Sequence, residues 1–244
     1  MELVITLFVF IFGIMIGSFL NVVIYRIPKG ENIAFPASKC QSCGTPLKWY
    51  HNIPIFSWLV LGGKCAFCKE KISAQYPVVE FVTGVIFLAL YFKLGLVWHL
   101  PFVAASFAAL FALVVIDFEY MAVPDNVNFA ALAFALVQPD FLNAALYAAI
   151  AAGGLYLTGL LSSLLAKRQA MGGADVIVAG TMGALLGMPG FFIAIFLSAL
   201  LAIIPALIWR ERGVPFVPFL ALATLITYLF DTQAADILEL IIYG

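Results

Sequence analysis

Residues 2–26 read ELVITLFVFIFGIMIGSFLNVVIYR, and this stretch decides the fold. From Leu3 to Ile24 it runs for 22 residues without a charged group, and roughly 20 apolar residues are enough for a helix to cross the ~30 Å hydrocarbon of a bilayer. It is longer than the apolar core of a cleaved secretion signal, and Glu2 rather than Lys or Arg precedes it. It is therefore expected to stay in place as a membrane helix. Basic residues begin at Arg26. By the positive-inside rule the N-terminus then faces outward and residues 25–77 form a cytosolic loop.

The same character continues outward along the chain. Of its 244 residues 65% are hydrophobic and only 10% are Asp, Glu, Lys or Arg, against about 25% charged residues in a soluble domain. Mean hydropathy is +1.12, so there is too little polar surface to coat a globule and lipid must serve as the solvent. The expectation is an all-α polytopic membrane protein, one membrane domain over 1–244, with the bilayer as its partner. A net charge of -1 offers no field for nucleic acid.

Further spans are expected near 78–92, 100–118, 126–138, 142–166, 176–188, 191–209 and 216–230, separated by Gly- and Pro-containing breaks such as Val123-Pro124-Asp125, Gly172-Gly173 and Met188-Pro189-Gly190. That makes about eight transmembrane helices. Eleven of the 12 basic residues then fall on the cytosolic side, including Lys167-Arg168 and the Arg210 and Arg212 pair, while Glu2, Asp140, Asp231, Asp236 and Glu239 fall outside. The spans 126–138 and 176–188 are short for the hydrocarbon thickness and call for tilt, extension or shielding by neighbours.

All four cysteines lie in the basic loop, as Cys40-Gln-Ser-Cys43 and Cys65-Ala-Phe-Cys68. Two Cys-x2-Cys turns in a reducing compartment have the spacing of a tetrahedral four-thiolate zinc site. Filling all four positions with Cys leaves no open place for water, so the role read here is structural. Unliganded or redox-active thiols are the other reading. His51, between the pairs, reads as a loop residue.

Acidic residues in or beside apolar spans carry a functional hypothesis because charge is costly there. Glu80, Asp117, Glu119, Asp125 and Asp175 qualify. Asp125 follows Pro124 and reads as a helix N-cap, and Glu119 as a headgroup-facing residue. Glu80 is either an N-terminal helix charge or part of a polar cleft. Asp117 ends a sixteen-residue uncharged run from Pro101 to Ile116, and Asp175 closes Met171-Gly172-Gly173-Ala174-Asp175. In the expected topology both lie at one depth on the cytosolic side. Two carboxylates that share a proton can activate water against a peptide carbonyl, one as base and one as hydrogen-bond donor. An N-cap is the competing reading of Asp175. The small residues before it permit an extended backbone and a closely lying substrate strand.

These residues resemble a known family. Gly172-Gly173-Ala174-Asp175 is similar to the Gly-x-Gly-Asp signature of intramembrane aspartyl proteases, and Ile116 to Asp125 resembles the upstream aspartate motif of bacterial type IV prepilin peptidases. Gly17 to Pro28, the cysteine pairs, Trp49 to Pro54, Ser57-Trp58 and Tyr76 to Glu80 are similar to that family's N-terminal region in the same order. The resemblance covers about residues 10–225. It implies an endopeptidase that removes the basic leader of type IV prepilins or pseudopilins at the cytosolic face of the bacterial inner membrane. It implies catalysis by Asp117 and Asp175 within core helices 100–230, and zinc on Cys40, Cys43, Cys65 and Cys68. Glu80, Glu119 and Asp125 would then face the basic leader. Members with this cysteine loop often N-methylate the new terminus from S-adenosylmethionine. The chain has no glycine-rich nucleotide fingerprint, so that activity comes from the resemblance alone. Three positions depart from the family pattern: Ala174 for the second glycine, Ile177 for a lysine, and Val217 for the glycine of Pro-Phe-Gly-Pro.

Two rival readings are a proton-coupled transporter and a non-catalytic membrane scaffold with a partner-binding zinc loop. The first calls for mid-membrane acids and an inverted repeat, which the sequence lacks. The second predicts that Asp117→Asn and Asp175→Asn leave function intact.

Overall fold

In the computed structural model, which describes residues 1–166, 172–208 and 215–231, the apolar runs are helices and the described residues contain no strand. Lipid offers backbone groups no hydrogen-bond partners, so each run must satisfy its own. Lys167-Arg168, Met171, Arg210, Arg212, Asp236 and Glu239 lie outside the described residues. Among the described residues five helices are long and apolar enough to cross a membrane, namely Glu2–Lys29, Gln75–Leu94, Leu100–Tyr120, Phe141–Leu165 and Gly173–Ile208.

Two compact units make up the chain, Met1–Gly95 and Leu96–Gly244. The first contains α1 (Glu2–Arg26), the short α2 (Phe56–Val60) and α3 (Gln75–Leu94). Helices α1 and α3 run antiparallel, since Gly13 meets Gly84 and Phe87 while Gly17 meets Glu80 and Thr83. A Cβ on Gly17 would stand 2.7 Å from Glu80 Cα, so hydrogen at this position is what lets the two backbones approach. Between them lies the cysteine loop.

The second unit contains α4 (Leu100–Tyr120), α5 (Asp125–Ala135), α6 (Phe141–Ala166), α7 (Gly173–Ile208) and α8 (Val217–Leu229). Pro101 sits at the start of α4, where its missing N–H costs no helical bond. The helix ends at Met121, whose left-handed backbone (φ 50°) returns its N–H to the Asp117 carbonyl at 3.0 Å. At 11 residues, α5 is only about 16 Å long, roughly half the hydrocarbon thickness.

The expected helices 176–188 and 191–209 are both present within α7, as two helices that meet at a kink. The break is at Gly187 (φ 67°, ψ 179°), just before the expected Met188-Pro189-Gly190. Proline cannot donate in a helix interior, but one glycine in a conformation open to it lets the chain resume helix at once, so no loop intervenes.

Against α6, α7 packs through Gly180 and Gly183, and a Cβ on Gly183 would lie 2.5 Å from the Tyr147 carbonyl oxygen and 2.6 Å from Ala151 Cβ. Gly183→Ala is expected to destabilise the unit by about 1–3 kcal/mol, seen as a lower unfolding temperature in detergent. Gly153→Ala, where nothing lies within 4 Å, should leave that temperature unchanged or raise it.

Candidate functional site

The last turn of α4 carries Asp117, which is only 6% exposed. Its carboxylate accepts a hydrogen bond from the backbone N–H of Val217, the first residue of α8, and lies within electrostatic reach of Asp175. Free N–H groups at a helix N-terminus favour an anion, so α8 contributes a donor that needs no side chain.

Asp175 is the third residue of α7 and half-buried. Its carboxylate accepts a hydrogen bond from the Gly172 backbone, and its own N–H returns to the Gly172 carbonyl at 3.3 Å. Reaching back in this way is half of a capping box. Asp175 is therefore not the N-cap expected as its competing role: Gly172 precedes the helix and Asp175 lies inside its first turn. A Cβ on Gly173 would meet nothing within 4 Å, and one on Gly172 would meet only Asp175 Oδ2 at 3.5 Å. The two glycines leave open space beside the carboxylate.

What holds the α7 start in place is α5. Asn128, 0% exposed, donates through Nδ2 to the Ala174 carbonyl at 2.9 Å, and its Oδ1 has no partner. Ten residues on, Gln138 Nε2 donates to the Ala184 carbonyl at 2.8 Å and to Ala135 at 2.7 Å. The equal offsets of 46 residues mean that α5 and the first half of α7 run parallel, tied within the first turns of α5 and again just beyond its end. Ser106 on α4 donates to the Ala131 carbonyl at 2.8 Å, so α5 couples the helix bearing Asp117 to the one bearing Asp175. The sequence reading missed Asn128 and the Val217 N–H. The first left a signal, an amide within the apolar run Val127 to Ala135. The second left only its place in Pro215-Phe216-Val217-Pro218.

Glu119 and Asp125 are exposed. The N-cap expected at Asp125 is not there: Pro124 occupies the cap with extended backbone (φ -65°, ψ 125°), Asp125 is the first helical residue, and no side chain caps α5. Proline's fixed φ suits the residue just outside the helix, which shifts the start by one. Ala174 and Ile177 lie half-buried in the first turns of α7. In the first unit, Glu80 is buried, and its Oε2 accepts the Ile55 N–H at 2.6 Å while Ser18 also bonds to it.

The cysteines lie on two matching turns. Gly44 N–H donates to the Cys40 carbonyl at 2.9 Å and Lys69 N–H to the Cys65 carbonyl at 3.1 Å, with both Gly44 and Lys69 in the left-handed region. The four Sγ atoms lie within 4.8 Å of one another, Cys40 and Cys68 at 3.8 Å. A tetrahedron of ~2.3 Å Zn–S bonds requires sulfurs about 3.8 Å apart, so the donor set can hold such an ion. Thr45, through its hydroxyl and its backbone, draws the Cys43 thiol down to about 6, and backbone N–H groups of Cys68 and Phe67 also lower Cys65. Both shifts favour the thiolate, whereas at Cys68 the Glu70 backbone hydrogen bond is outweighed by burial and the three other cysteines, which raise that thiol to about 11. His51 stands outside the cluster, its ring 5.4 Å from that of Phe67.

Fold and cysteine cluster together define a multi-pass helical membrane protein with a loop whose four cysteines could hold a metal ion. A family model described as Bacterial Peptidase A24 N-terminal domain matches residues 11–94, and one described as Type IV leader peptidase family matches residues 102–207. Similar proteins include one from Myxococcus xanthus (36% identity, covering 73% of this chain and 55% of the relative). Others are from Neisseria gonorrhoeae (31%, 82% and 80%) and Dichelobacter nodosus (32%, 94% and 93%). Each bears the name Prepilin leader peptidase/N-methyltransferase. The chain belongs to the type IV leader peptidase family. Against the first of these relatives it spans little more than half the length. No solved structure matches it.

Proposed function

We propose that this chain is a prepilin leader peptidase that cleaves the basic leader from type IV prepilins or pseudopilins. The observation that carries the reading is the approach of Asp117 and Asp175, from helices joined through α5, beside the open backbone of Gly172-Gly173. The peptidase core is residues 100–230, and the cysteine loop 25–77 is an insertion held by zinc.

The chemistry follows from the pair. One carboxylate takes a proton from a water molecule while the other, protonated, donates to the scissile carbonyl oxygen. The water oxygen bonds to the carbonyl carbon, a proton passes to the amide nitrogen, and the C–N bond breaks. The leader leaves with a new carboxyl group and the pilin with a free amine. Val217 N–H and the Gly172 backbone hold the carboxylates in place meanwhile. The exposed Glu119 and Asp125 suit basic leader residues, whereas Glu80 is engaged by Ile55 and acts as a clamp. In this reading the active site faces the cytosol at the bacterial inner membrane, supported by the positive-inside rule. S-adenosylmethionine, when bound, supplies a methyl group for the new terminus; that half of the activity comes from the relatives' shared name, and no residue is assigned to it.

The test is mass spectrometry of a prepilin incubated with the membrane-embedded enzyme and S-adenosylmethionine. Removal of the leader before the apolar helix, typically between Gly and Phe, supports the reading. An intact prepilin with properly inserted enzyme overturns it, and a mass increase of one methyl reports the second activity separately.

Asn128→Ala is expected to lower kcat for cleavage about 10- to 100-fold with KM little changed, because Ala174 and the following Asp175 lose their tether. Steady-state kinetics in proteoliposomes check it.

A further inference from the structure

The loop of the first unit presents an apolar face that zinc binding and peptide cleavage leave unused. Phe56, Leu59 and Val60, at i, i+3 and i+4 of α2, are 63%, 61% and 68% exposed, and this spacing places them on one side of the helix. Trp49, 79% exposed, and Ile53 lie just before it. Trp58, by contrast, turns inward, donating through Nε1 to the Ile72 carbonyl at 3.1 Å above Gly63. The exposed side of this five-residue helix is apolar.

Its depth follows from its anchor. Ile55, immediately before α2, gives its N–H to Glu80, which Ser18 also contacts. Glu80 lies five residues into α3, about 7–8 Å from the helix start, and Ser18 eight residues before the end of α1, about 12 Å from it. The start of α2 is thus held beside the membrane helices, below their ends and not above them. The loop around it carries Arg26, Lys29, Lys39, Lys48, Lys64, Lys69 and Lys71 against Glu31 and Glu70, and remains positive after the charge of a four-thiolate zinc site is included. An exposed apolar face preceded by the exposed Trp49 and Tyr50, anchored beside membrane helices in a lysine-rich loop, complements the headgroup–acyl boundary of a bilayer with anionic lipid.

We propose that residues 49–60 lie in that boundary, with Phe56, Leu59 and Val60 against acyl chains and the loop lysines on anionic headgroups. The cysteine loop is then a membrane-resting element, and its zinc turns stand at the water side of it. The proposal is independent of the peptidase reading.

Photocrosslinking of the full zinc-loaded chain in nanodiscs of phosphatidylcholine with a quarter phosphatidylglycerol tests it, with p-benzoylphenylalanine replacing Phe56, Leu59 or the exposed Glu70. Lipid adducts at 56 and 59 about fivefold or more above those at 70 are expected. Absence of that excess, or adducts to protein in place of lipid, overturns the proposal. Should a substituted chain fail to insert, the unsubstituted protein decides. The fluorescence difference between it and Trp49→Phe isolates Trp49, which lipids brominated near the headgroup are expected to quench. Quenching of that component by aqueous iodide alone overturns it.

Discussion

Asp117→Asn and Asp175→Asn are each expected to cut cleavage of a membrane-inserted prepilin by about 10³-fold or more, and the double variant to be no worse than either single one. Each change preserves shape while removing the group that accepts or supplies a proton, and residues acting as a unit lose activity together, not additively. The amide can still accept the hydrogen bond that Val217 N–H gives the Asp117 carboxylate, and it removes a charge from a poorly solvated position. The unfolding temperature is therefore expected to hold or rise while activity collapses. Cleavage measured by mass spectrometry alongside unfolding in detergent separates this from simple misfolding. Near-normal cleavage by either inserted variant would remove that residue from the chemistry and revive the scaffold reading.

Stripping the cysteine cluster is expected to have the largest effect on the loop. Residues 38–72 are held by two bridged turns, a few short hydrogen bonds and the Trp58 contact, with little apolar core. Structural zinc sites contribute roughly 10–16 kcal/mol of apparent binding free energy, far more than such contacts can replace. Chelation, or Cys65→Ser at the buried cysteine, should make this segment sensitive to protease and expose the remaining thiols to maleimide. Zinc should reverse the effect of chelation, and magnesium should not, because thiolates are poor ligands for a hard cation. Cobalt in place of zinc should give the visible absorption of a tetrahedral thiolate site. Purified chain with no bound metal and a loop equally protected after chelation would show that the turns stand unaided.

Much of this was legible in local pattern. The uncharged run Leu3 to Ile24 and its successors could only be helices in lipid, and two Cys-x2-Cys turns in one loop pointed to a four-cysteine cluster, which the Sγ positions form. Asp117 was visible as the first charge after Pro101 to Ile116. Other features depended on distant partners. Asp125 looked like a cap because its type and position suited one, but proline took the cap and left it as the first helical residue. Glu80 allowed two readings until Ile55, 25 residues earlier, was found on its carboxylate.

By itself, the sequence determined the class of protein, the helices and the thiolate set, because apolar runs, proline and glycine breaks and short-range cysteine spacing act over a few turns of chain. Only the tertiary structure decided which groups surround the two aspartates. The Val217 N–H reaches Asp117 from 100 residues away, and Asn128 fixes Ala174 across 46. Such partners meet through the packing of helices that satisfy their own backbones internally, so nothing in the local pattern of either segment names the other.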